Sequence, residues 1–148
     1  MKKLFAEQAD TLKVMTYATD IRPITSPIPL SEALEGVQDV DWLLCPDTEL
    51  TVSGVSVSSI DIEDNWLFVA IPGLVQHGIR FLHAAVEAGA TAVVTDREGS
   101  ERAREMNPDI PIVIVADPRR ASATIAANIY RHPASALKTA AVTGTNGK

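Results

Sequence analysis

The sequence predicts an α/β fold, a small, mostly parallel sheet flanked by helices, and three observations predict it. From Trp66 onward, apolar runs of strand length alternate with segments of helical character. The runs Trp66–Ile71, Thr91–Thr95 and Ile110–Val115 are nearly continuously apolar, which marks strands buried on both faces and joined by right-handed crossovers. Hydrophobic residues make up 46% of the chain with only 5% aromatics, and alanine supplies much of the rest, a composition suited to helices packed closely on a sheet.

Taken in order, residues 1–30 read as an irregular lead-in, because Pro23, Pro27 and Pro29 break helices and cannot sit in central strands. Ser31 is placed to cap a short helical stretch through Glu32, Ala33 and Leu34 that Gly36 stops. Val40–Cys45 and Val52–Val57 read as strands, the second half-buried by its alternation of Val with Ser and Gly. Asp61–Asn65 is a turn. After the strand Trp66–Ile71 and the Pro72-Gly73 break, Phe81, Ala84, Ala85 and Ala88 place an apolar stripe on a helix ended by Gly89. The charged segment Glu98–Met106 is a surface helix between the next two strands. Asp117 is a strong N-cap with Pro118 at the first helical position, and Ala121, Ile125 and Ile129 follow at spacing four. His132-Pro133-Ala134-Ser135 ends that helix as a joint, and Lys138–Val142 reads as the first strand of a following unit. The expected organisation is therefore a lead-in (1–30), an α/β domain (31–133) and the start of a second unit (134–148).

At 148 residues the chain holds one domain with a substantial core. Its net charge of −6 and the absence of a basic stripe argue against nucleic-acid binding, so any anion must be held by a local site. The single Cys45 excludes an internal disulfide framework and fits a reducing cytosol. Beside Trp42-Leu43-Leu44 it reads as a packing residue rather than a reactive thiol. No window approaches the roughly 18 apolar residues of a membrane span, and a soluble, cytoplasmic monomer is expected. His77, His83 and His132 show no i, i+4 pairing and no cysteine partner, so no metal site is expected. Arg119 and Arg120 in the first turn of a helix oppose its dipole; they mark either an anion or domain contact or a solvated face.

The final residues, Thr143-Gly144-Thr145-Asn146-Gly147-Lys148, follow the apolar run Ala140-Ala141-Val142. A strand feeding a glycine-rich turn is how a backbone cradle for phosphate begins, and Lys148 would reach the outer phosphates as a point charge. The strict G-x-x-x-x-G-K pattern needs glycine where Val142 stands, so this is a variant loop, with a glycine-rich tail as the alternative. A Ser or Thr for magnesium and a helix facing the phosphates should come next, so the sequence reads as a phosphate loop cut at its lysine.

Several segments precede this loop in a recognisable order. They are Leu67-Phe68-Val69-Ala70-Ile71-Pro72-Gly73, His77-Gly78, Glu87-Ala88-Gly89-Ala90, Ala116-Asp117-Pro118-Arg119-Arg120 and Tyr130-Arg131-His132-Pro133. Over residues 50 to 148 this order resembles the Mur ligases, and within them the MurE-type branch that adds a diamino acid to UDP-N-acetylmuramoyl-L-alanyl-D-glutamate. The resemblance implies an ATP- and magnesium-dependent ligase of peptidoglycan synthesis. It makes the 148 residues a Mur ligase N-terminal-like, UDP-sugar-binding domain followed by the truncated start of a P-loop domain. By themselves they are expected to hold no ATP and to be inactive. It assigns Gly144, Thr145, Asn146, Gly147 and Lys148 to ATP, and Val57, Ser59, Leu74, Val75, Gln76 and His77 to the UDP-N-acetylmuramoyl-dipeptide. Relatives carry Asp-Ser-Arg where this chain has Ser58-Ser59-Ile60, so the serine is kept and the arginine is lost. His77 reads either as a sugar-nucleotide contact or as a solvated turn residue. A non-catalytic binding or assembly module, or a related ATP-dependent carboxylate–amine ligase, are the rival readings.

Overall fold

The computed structural model describes residues 25–138, except Asp47 and Pro108, together with Ala140. A five-stranded sheet is built from β2 (Asp41–Leu44), β4 (Gly54–Ser56), β5 (Trp66–Val69), β6 (Ala90–Thr95) and β7 (Ile112–Ile114), in the order β2-β7-β6-β5-β4. Strands β4 to β7 are mutually parallel, and β5 to β7 are apolar runs joined through helices, as that pairing requires. Only β2 at the edge is antiparallel.

Strand pleating divides the core in two. Phe68, Ala70, Val93 and Ile112 face one way, against Leu82 and Ala85 of α2 (Leu82–Glu87) and Ala103 of α3 (Arg97–Met106). Leu67, Val69, Ala92, Val94, Val113 and Val115 face the other, against α1 (Leu30–Ala33) and Ala121, Ile125 and Ile129 of α4 (Pro118–Ile129). The Asp117 cap is present, its carboxylate accepting from the Arg120 amide at 3.0 Å. Asn128 donates to the carbonyls of Ala33 (3.1 Å) and Glu35 (2.8 Å), satisfying acceptors that the end of a short helix leaves open.

Several expectations are corrected. The lead-in is not irregular at its end: β1 (Ile28–Pro29) pairs antiparallel with β3 (Thr51–Val52), and Ile28 and Leu30 are buried. Ser31 does not cap α1, whose N-cap is Pro29; the Ser31 hydroxyl donates to Glu49 at 3.0 Å. The expected strand Val52–Val57 is two strands, because Ser53 bonds Asn65 at the joint and the chain changes partner from β1 to β5. The stripe on α2 is also different. Gly78–Phe81 forms a 3-10 turn, and at three residues per turn Ile79, Leu82 and Ala85 line up inward. Phe81 and Ala84 face out, and the Arg80 guanidinium lies 5.4 Å from the Phe81 ring centroid. Cys45 is exposed rather than packed, since β2 ends at Leu44 on the sheet's edge.

Past α4, Arg131 and His132 turn through left-handed backbone (φ 59° and 50°) into a 3-10 turn at Pro133–Ala136. The expected strand Lys138–Val142 lies mostly outside the described residues, and Lys138 and Ala140 belong to no strand. The whole loop Thr143–Lys148, with the assigned Gly144, Thr145, Asn146, Gly147 and Lys148, lies outside them too.

Candidate functional site at the carboxyl edge of the sheet

Parallel strands end on one edge, and four segments leave it there: residues 57–60 after β4, 70–77 after β5, Asp96 after β6 and 115–117 after β7. Open α/β sheets bind ligands outside the carboxyl ends of their strands, where helices begin and backbone groups are free. Val57 and Ser59 on one loop and Leu74 to His77 on the next therefore occupy neighbouring positions on that edge.

The first loop is a tight turn. Ser56 Oγ accepts from the Ser58 amide at 3.0 Å, and the Ser58 carbonyl accepts from the Asp61 amide at 3.2 Å. Ser59 is left half-buried, with Val57 exposed and Ile60, in the place of the missing arginine, 92% exposed. The second loop is clamped at its base by an antiparallel bridge between Pro72 and His77 and by the Gly78 amide on the Ile71 carbonyl at 2.9 Å. Its tip, Leu74 and Val75, is fully exposed, and Gln76 accepts from the Arg80 guanidinium. Four apolar side chains in water at one edge are a feature that folding alone does not favour.

His77 departs from both of its expected roles. It is 4% exposed, and both ring nitrogens are engaged inside the protein. Nδ1 accepts from the Ile79 amide at 3.0 Å, which puts the neutral ring's proton on Nε2, where it donates to Asp96 Oδ1 at 3.0 Å. The same Asp96 oxygen accepts from the Gly99 amide at 2.7 Å and caps α3. Gly99 is required by this contact: a Cβ there would stand 2.7 Å from His77 Cε1 and closer still to Thr95 Oγ1. His77 is thus neither a solvated turn residue nor free to meet a ligand. The sequence signal for its partner was an Asp one residue ahead of a helix, the ordinary mark of a cap.

The recess beside the second loop, about 150 Å³, is completed by Glu98 and Arg102 of α3 rather than by Val57 or Ser59. Arg102 is paired with Glu98 on the exposed face of the helix. A second depression of about 200 Å³ opens at the start of α4, between Gly36–Asp39 and Asp117, Arg120 and Thr124. Arg120, read as an anion contact or a solvated residue, lines it. Among the described residues no group of three or more His, Cys, Asp or Glu could hold a metal ion. No helix among them is long and apolar enough to cross a membrane. The residues expected to hold ATP, Gly144 to Lys148, lie outside the described residues.

Comparison with known proteins places this arrangement. The model of the Mur ligase family, catalytic domain, matches residues 51–130. The UDP-N-acetylmuramoyl-L-alanyl-D-glutamate–2,6-diaminopimelate ligase of Streptomyces coelicolor is 36% identical over 135 residues, 90% of this chain and 26% of that protein. The ligase of the same name from Caldanaerobacter subterraneus is 42% identical over 97 residues, 66% of this chain and 19% of that protein. The chain thus spans about a quarter or less of the length of these relatives. Among solved structures, a crystal structure of MurF from Acinetobacter baumannii shares the fold at a TM-score of 0.53 and 21% identity, over 78% of this chain and 23% of that one.

Proposed function

Since the chain belongs to the Mur ligase family, we propose that it is the N-terminal, UDP-sugar-binding part of a MurE-type ligase. The observation that carries this reading is the 36% identity that runs along 90% of the chain to a diaminopimelate-adding ligase. The substrate would be UDP-N-acetylmuramoyl-L-alanyl-D-glutamate, and the reaction the ATP-dependent joining of a diamino acid to it in cytoplasmic peptidoglycan synthesis. ATP, with magnesium, would supply the phosphoryl group that activates the D-glutamate carboxylate for attack by the amine. Gly144 to Lys148 would cradle its phosphates. The net charge of −6 supports a small-molecule rather than a nucleic-acid partner, and a monomer is proposed.

This chain's own part is to bind and orient the uridine end. Ser59 offers a hydroxyl that can donate to a phosphate or carbonyl oxygen, and Gln76 an amide that can do both. The exposed Val57, Ile60, Leu74 and Val75 supply apolar surface against which a base can pack. The test is an NMR titration of the 148-residue chain with UDP-N-acetylmuramic acid. Amide shifts should cluster in residues 57–60 and 72–77. Shifts centred instead on the depression at the start of α4, or none at millimolar ligand, would refute the assignment.

A further inference from the structure

The loop carrying Leu74, Val75 and Gln76 is clamped at its base by backbone bonds and tied to α3 through one buried side chain. His77 stands at the loop's base, buried, with Nδ1 on the Ile79 amide and Nε2 on Asp96. Asp96 belongs to a different strand–helix junction, and its carboxylate also fixes the first turn of α3 through Gly99. The path Ile79 N–H to His77 to Asp96 to Gly99 therefore ties the end of the β5 loop to α3 with three hydrogen bonds. Every buried side-chain polar atom among the described residues is satisfied.

We infer that His77 is a positioning residue whose neutral, Nε2-protonated ring ties the base of the 72–77 loop to the turn that follows it, and that a proton taken up at Nδ1 frees the Ile79 amide from that tie. The two ends of the ring respond differently. An imidazolium carries N–H on both nitrogens, so Nδ1 then faces the Ile79 N–H donor to donor and that bond is lost. Nε2–H still donates to Asp96, now as an ion pair, so the tie to α3 survives. Acid thus removes the side-chain cap of the 3-10 turn at Gly78–Phe81 without uncapping α3. The charged groups around the ring are the carboxylates of Asp96 and Glu98 and the guanidiniums of Arg80 and Arg102. Arg102 is paired with Glu98, and Arg80 is held by Gln76 and the Phe81 ring, which leaves Asp96 as the charge in direct contact with the imidazole.

The last step, that loop shape governs nucleotide affinity, rests on the function proposed above; the latch itself does not. The experiment uses the 15N-labelled 148-residue chain across a pH series, reading ring nitrogens, backbone amides and UDP affinity. The ring should report the Nε2–H form at neutral pH. As His77 protonates, the Ile79 amide should move and exchange faster while the Gly99 amide holds still, and UDP affinity should fall several-fold in step. His77→Asn keeps a side-chain acceptor for the amide two residues on but cannot titrate, so its affinity profile should follow UDP's own phosphate titration alone, where that of the wild type falls further. An Nδ1–H ring, or Ile79 and Gly99 moving together, overturns the latch; both are read on the wild-type chain and need no variant to fold. If ring and Ile79 titrate as stated but UDP shifts no residue of 72–77, the latch stands and the nucleotide assignment falls.

Discussion

Ser59 and Ile60 carry the most specific consequence at the scale of single residues. One hydrogen bond to a neutral group contributes about 0.5–1.5 kcal/mol net, so Ser59→Ala should weaken UDP binding a few-fold to about tenfold. Ile60 is 92% exposed and packs on nothing that a longer side chain would disturb. Ile60→Arg restores the cation of the relatives' Asp-Ser-Arg pattern, either a phosphate partner or one half of a structural ion pair; as a phosphate partner in the proposed site its bond to a charged group is worth about 1.5–3 kcal/mol. Calorimetry should therefore show about tenfold or more tighter UDP binding for Ile60→Arg, with no change in unfolding temperature. Unchanged affinity would place the diphosphate away from this loop. The neighbouring His77 shows why a residue can be legible in type and illegible in role. Histidine before glycine is a turn signal, but whether the ring faces water or Asp96 depends on where α3 lies.

Among the elements, the two long helices have caps that look alike in sequence and differ in consequence. Asp117 is exposed and serves one amide, so Asp117→Ala should cost about 1 kcal/mol. Asp96 caps α3 and also accepts the proton of the buried His77. Asp96→Ala adds an unsatisfied buried donor, worth about 1–3 kcal/mol, to the lost cap. Urea unfolding should rank the two variants in that order, and equal losses would mean that His77 finds another acceptor. The turn ahead of α2 permits a second comparison. Leu82 is fully buried and Phe81 is 39% exposed, so Leu82→Ala should cost about 2–5 kcal/mol and Phe81→Ala under about 1 kcal/mol. An α-helical pattern starting at Phe81 predicts the reverse. The inward face of α4, by contrast, was readable as Ala121, Ile125 and Ile129, because that helix is regular from its Asp-Pro start and its period of 3.6 is undisturbed.

For the whole molecule, these 148 residues correspond to a quarter or less of the ligases they resemble, and by themselves should show no ATP turnover with magnesium and UDP-N-acetylmuramoyl-L-alanyl-D-glutamate. Phosphoryl transfer needs the donor held in line by groups on several elements, and one glycine-rich loop does not supply them. Calorimetry is the check: ATP binding tighter than roughly millimolar, about −4 kcal/mol, would show a more complete site than this. The parallel strands and the order of helices and strands from Trp66 onward, and the family, were determined by the sequence alone. Each rests on local periodicity or on motifs read directly from the chain, such as the Asp-Pro helix start and the Phe-Val-Ala-Ile-Pro-Gly run. Tertiary structure alone decided the pairing of Ile28 with Val52, the break at Ser53, the inward turn of Leu82 in place of Phe81, and the burial of His77 against Asp96. These contacts join residues up to 24 positions apart or depend on a single turn of 3-10 geometry, and such choices follow from which surfaces the sheet brings together.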